Sequence, residues 1–299
     1  MPNNMSSEKV ELKLLDNGLH FLIIGMNSES LNFGAKKDFL YWKYAILNFY
    51  SGIELLLKDR LLREHWALIF ENIENANVQK LQSGDFLSVN YNSLITRLKN
   101  ISKIKFKDVD ERSIDELRKL RNKIQHYEFS LAITECKTII AKALNAVLDF
   151  IDLNYKKTQL TTQQAELIQS IRYNAYNFAE YIDYKKILNS EILTKANKNG
   201  VVSPCPICEE TTVVSFKNKK SRCVICNYSS ANDEIAKSEY LQSIINRVEK
   251  ILVEEKCSCG GNLIKYYNPM KIPQKIIAYC FKCGEKESMR LTNEFIEKK

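Results

Sequence analysis

The chain has 299 residues, 45% of them hydrophobic, with only 9 Gly and 5 Pro, which gives room for about two domains and excludes a disordered chain. No apolar run approaches the ~18–20 residues of a membrane span. The opening Met1-Pro-Asn-Asn-Met-Ser-Ser lacks a secretory pattern, so a cytoplasmic protein with no membrane partner is expected. The formal charge of +8 has the sign expected for a polyanion partner.

In chain order, residues 8–24 carry an apolar pattern (Val10, Leu12, Leu15, Leu19, Leu22) that predicts a first helix. From Asp38 to about Arg63, apolar residues occupy more than one face, which predicts a helix central to a bundle. Glu54 lies inside that stretch and needs a partner, in a functional pocket or within the core. Residues 76–88 read as a polar loop around Ser83-Gly84-Asp85, and a short helix follows over 91–101. Residues 110–126 predict a helix with Ile114, Leu117, Leu120 and Ile124 as its core stripe, and Ser113 with Glu116 matches a capping box. An amphipathic helix is expected over 130–153, then a tyrosine-rich connecting helix within 156–195. Lys195 to Ser203 is the best linker candidate. Beyond it, short β-branched stretches alternate with cysteines, around one further helix expected at 232–255.

Eight of the nine cysteines lie beyond residue 200, and Cys136 stands apart. Clustered cysteines in a reducing compartment are metal ligands more often than disulfides. Cys205-Pro-Ile-Cys208 and Cys223-Val-Ile-Cys226 are two C-x-x-C pairs 14 residues apart, with a strand-like Thr211–Phe216 and a turn-like Lys217–Lys220 between them. That is the pattern of a zinc ribbon, expected over 203–230. A second ribbon is expected over 256–295, with Cys257, Cys259, Cys280 and Cys283 as ligands. Its first knuckle is C-x-C, and Gly260-Gly261 permits the tight turn. Four thiolates leave no open position for a catalytic water, so both ions, two per chain, are expected to be structural, and the chemistry must lie elsewhere. Each filled site would carry a charge of −2, which lowers the total to about +4.

The three histidines are His20, His65 and His126. The first lies in an apolar helix, and His65 precedes Trp66 at an expected helix end; both read as structural. His126 closes the run Leu117-Arg-Lys-Leu-Arg121-Asn122-Lys-Ile-Gln-His126. A histidine moves protons near neutral pH, an arginine offers a fixed cationic fork to phosphate, and Asn122, four residues before His126, shares its helix face and is placed to orient the imidazole. Arg121 and His126 are five apart, about 140° around an ideal helix, so they converge only if the helix ends near Gln125 or if two chains build the site.

This run resembles the R-x(4–6)-H signature of HEPN domains, and residues 44–58 with Glu64-His65-Trp66 resemble bacterial HEPN-like proteins. The resemblance covers roughly residues 8–155. It implies a HEPN-like helical bundle, so the expected fold is mainly α, that bundle followed by a small β-containing module with the two ribbons. It also implies a homodimer with facing motifs, and a metal-independent endoribonuclease with Arg121, Asn122 and His126 as catalytic residues and RNA as substrate. Products would be a 2′,3′-cyclic phosphate and a 5′-hydroxyl. Many bacterial members act as toxins or antiviral effectors, which implies an antitoxin or defence-system partner by analogy. The alternative is a catalytically silent HEPN and zinc-ribbon protein that binds nucleic acid or regulates.

Overall fold

The computed structural model describes residues 11–26, 39–217, 219–245, 251–268, 275–280 and 286–290. It is mainly helical, with two four-stranded antiparallel sheets beyond residue 200. It divides into a helical unit that ends at Arg172 and a second unit from Tyr173 onward. No described helix is long and apolar enough to cross a membrane.

In the helical unit, α1 (Leu14–Gly25) lies against α2 (Phe39–Leu62). The contact is backbone to backbone: a Cβ on Gly52 would stand 2.8 Å from the Gly18 carbonyl oxygen and from Leu22 Cγ. Buried Ile46, Phe49, Tyr50, Ile53, Leu56, Leu57 and Leu61 cover several faces of α2, which makes it the centre of the bundle. The expected polar loop contains a short helix, α3 (Val78–Ser83), capped by the Asn77 side chain and stopped by Gly84 at φ +73°. The next helix is α4 (Tyr91–Asn100).

Two longer helices, α5 (Asp108–His126) and α6 (Ile133–Asn154), follow in this unit. The stripe of Ile114, Leu117, Leu120 and Ile124 is buried. Ser113 is not a cap, because α5 starts five residues earlier and the Ser113 hydroxyl donates to the Val109 carbonyl at 2.6 Å. Buried Asp110 accepts from Asn145 Nδ2 at 3.2 Å and ties α5 to α6.

The connecting stretch is three helices instead of one: α7 (Thr162–Tyr176), α8 (Ala179–Leu188) and α9 (Ser190–Asn199). The breaks fall at Asn177 and Asn189, whose side-chain amides donate to the carbonyls of Tyr173 and Lys185 four residues back. Such local bonds compete with the helical ladder. A second correction concerns 232–255. The helix there, α10, covers Asp233–Ile245, while Ile251–Lys256 is a strand. The residues Ile251-Leu252-Val253 favour a pleated surface over a continued helix.

The first sheet has the order β1 (Val201–Pro204), β2 (Thr211–Ser215), β3 (Ser221–Cys223), β4 (Ser229–Ser230). The second runs β5 (Ile251–Lys256), β6 (Asn262–Asn268), β7 (Lys275–Cys280), β8 (Lys286–Arg290). Both are antiparallel meanders, and each carries its described cysteines at strand ends and turns.

Candidate functional site

Glu54 and Arg121 meet where α2 packs on α5. Arg121 Nη2 lies 3.4 Å from Glu54 Oε2, and Nη1 donates to Gln125 Oε1 at 2.9 Å. The guanidinium sits over the ring of buried Tyr50, 4.2 Å from its centroid. The other Glu54 oxygen accepts from Lys58 Nζ at 2.7 Å, and Lys58 also donates to Ser88 Oγ at 2.9 Å. Ser88 is held there because Arg97 of α4 donates to the Leu68, Phe70 and Glu71 carbonyls and pins the loop that pairs Phe70 with Ser88. Glu54 is therefore a paired carboxylate between two cations. Burial, with the nearby Glu54 charge, pushes the Tyr50 hydroxyl up to about 12.

The cluster holds a cation in a defined place: Gln125 and Glu54 take up two of the five Arg121 N–H groups, and the ring supports its flat face. His126 is not part of it. The helix α5 continues through His126, so the two residues diverge by about 140° within one chain. His126 is exposed, as is Tyr127 beyond it, and neither the imidazole nor the half-buried Asn122 forms a hydrogen bond among the described residues. The structure thus brings Arg121 to Tyr50, Glu54 and Gln125, and leaves His126 apart. Of the other histidines, His65 Nδ1 accepts from the Ala67 amide at 3.2 Å and starts a 3-10 turn, while His20 is half-buried in α1.

Sequence reasoning passed over Tyr50, Lys58 and Gln125. All three were signalled by i, i+4 spacing, Tyr50–Glu54–Lys58 on α2 and Arg121–Gln125 on α5. The signal became specific only when the two helices met.

In the second unit, Cys205, Cys208, Cys223 and Cys226 bring their sulfurs within 4.8 Å of one another. Sγ–Sγ separations of 3.4 Å (Cys205–Cys226) and 3.6 Å (Cys208–Cys223) are far too long for a disulfide. They approach the ~3.8 Å edge of a tetrahedron whose metal–sulfur bonds are about 2.3 Å. The knuckles share a geometry. In each, the amide two residues after the first cysteine points at its sulfur (Ile207 to Cys205, Ile225 to Cys223, both 3.4 Å). In each, the residue after the second cysteine is left-handed, Glu209 at φ 60° and Asn227 at φ 61°. Hydrogen bonds from its three cysteine neighbours hold the Cys223 thiol below its ordinary value, while hydrogen bonding to Cys205 and Cys223, with burial, pushes Cys208 up. All four can be thiolates together only around a positive ion.

Cys257, Cys259 and Cys280 form a second group within 4.8 Å, with Cys259 and Cys280 sulfurs 3.5 Å apart. Gly260 at φ +78° repeats the left-handed residue after the second cysteine. The fourth expected ligand, Cys283, lies outside the described residues. Both groups are positioned to hold a metal ion. Compared with known proteins, the chain matches no family model, no curated protein and no solved structure.

Proposed function

We propose that the helical unit is a metal-independent endoribonuclease of the HEPN type, acting as a homodimer, and that the two cysteine groups hold structural zinc. One observation supports this above the rest. Arg121 is fixed by Tyr50, Glu54 and Gln125, and the same helix ends in an exposed, unengaged His126. An arginine braced for phosphate and a free imidazole on one helix, facing different ways, suit a site completed by a second copy of α5.

In that site the 2′-oxygen of RNA attacks the adjacent phosphorus. The P–O2′ bond forms, the P–O5′ bond breaks, and the products are a 2′,3′-cyclic phosphate and a 5′-hydroxyl. His126 handles the proton leaving the 2′-hydroxyl or arriving at the 5′-oxygen, worth about 10²–10⁴-fold in rate. Arg121 stabilises charge on the phosphate oxygens as it grows. The zinc ions take no part, since four thiolates close their coordination. A role as a toxin or antiviral effector belongs to the same reading by analogy alone.

The test is complementation. Arg121→Ala and His126→Ala chains should each cut mixed RNA at least about 10²-fold more slowly than wild type. Mixed in equal amounts and allowed to exchange subunits, they should recover about a quarter of the wild-type rate, because half the dimers regain one intact site of two. A substrate lacking the 2′-hydroxyl should not be cut. Full activity in His126→Ala, or cleavage of the 2′-deoxy strand, overturns the proposal. Absence of recovery on mixing overturns the two-chain site.

A further inference from the structure

The first sheet has a basic corner that the cleavage chemistry does not use. Gly200 joins α9 to β1, and a Cβ there would stand 2.4 Å from the Ser215 carbonyl oxygen and 3.1 Å from Phe216 Cδ1. The end of α9 is therefore pressed against the start of the turn between β2 and β3. Lys195 and Lys198 come to this corner on the last turns of α9, and Lys217, Lys219 and Lys220 come on the β-turn. Arg222 follows on β3 opposite Val214, and strand alternation directs it away from Cys223.

All six cations are exposed, and none has a carboxylate partner among the described residues; Arg222 donates to the neutral Asn227 amide at 2.8 Å. In the helical unit Lys58, Arg60, Arg63, Lys99 and Lys107 are paired with acids, while exposed Lys103, Lys105 and Lys156 are not, among the described residues, and serve below as the control. Residues 185–230 hold eight Lys and Arg against three Glu, so the region stays positive even after a filled four-thiolate site removes two charges. A shallow groove of about 450 Å³ along α9 adds Ser190, Thr194 and Asn199 beside the lysines, with Glu191 at its far end. Half-buried Phe216 stands at the joint.

We propose that this corner binds the backbone of single-stranded RNA. Unpaired cations, hydroxyl and amide groups and one accessible ring are what a run of phosphates with unstacked bases requires. The surface would deliver RNA to the protein whether or not the helical unit cuts it.

The experiment measures binding of a 2′-O-methyl oligonucleotide, which cannot be cleaved, to the full metal-loaded chain across a salt series. Each phosphate contact to a single strand contributes a slope of about −0.7 in log K against log salt. Replacing Lys217, Lys219 and Lys220 by Gln should lower the slope by about two units. Wild type should then lose about 20-fold more affinity than the variant between about 50 and 200 mM salt. Equal metal content in the two proteins shows that the ribbon is intact. A control with Lys103, Lys105 and Lys156 of the helical unit replaced by Gln should bind as wild type does. The proposal fails if the ribbon variant keeps its affinity and slope or if the control loses as much. It also fails if phosphatidylserine vesicles are bound and the oligonucleotide is not.

Discussion

Glu54 is the residue whose removal should be most informative. It stands between Lys58 at 2.7 Å and Arg121 at 3.4 Å, with side-chain exposures of 11% for Lys58 and 22% for Arg121. At 2.7 Å the attraction of one such pair is about 1.5 kcal/mol in bulk water and about 6 kcal/mol at an effective dielectric of 20. Desolvation offsets part of this, since Lys58 is buried and Glu54 and Arg121 are half-buried, so a coupling of about 1–3 kcal/mol is expected. Glu54→Gln should destabilise the helical unit by a similar amount, because two cations then face each other without an anion. Lys58→Met alone should also cost stability, but the double variant should lose less than the two costs together. Both tryptophans, Trp42 and Trp66, lie in the helical unit, so fluorescence-detected urea unfolding reports that unit alone. Additivity within about 0.5 kcal/mol would refute the reasoning, since it would mean that the pair is solvated and contributes nothing.

Elemental analysis should find about two zinc ions per chain, and Cys205→Ser or Cys223→Ser should abolish one of them and melt the first sheet, because structural zinc supplies on the order of 10 kcal/mol to such modules. Tyr50 is held protonated up to about 12 against an ordinary value of 10.0. Its contribution is fully present below pH 10 and is lost as pH rises toward 12. Tyr50→Phe should therefore flatten the alkaline loss of stability over that window, as followed by unfolding at each pH. Gly52→Val should prevent α1 from seating, because even a single Cβ meets the Gly18 carbonyl and Leu22 at 2.8 Å. Loss of several kcal/mol in unfolding experiments is expected, and a neutral effect would mean that the helices slide apart without cost.

Much of this architecture was legible in the residue order, wherever the governing physics is local. The stripe of Ile114, Leu117, Leu120 and Ile124 marks the buried side of α5, since helix period and apolar burial are enough to set it. The C-x-x-C pairs likewise announce a four-sulfur group, because a knuckle of that length presents two thiolates in one direction. Local competition was harder to read. The single connecting helix expected within 156–195 runs through Asn177 and Asn189, and their side-chain bonds to the preceding turn decide where it breaks. Only tertiary packing decided the surroundings of Arg121. Glu54 is 67 residues away from it, and nothing in either helix says that Tyr50 will lie under the guanidinium. Packing of α2 on α5 also explains why Arg121 is engaged while His126, on the same helix, faces away. A one-dimensional motif records spacing, whereas the direction each side chain takes depends on where its helix ends and what covers it.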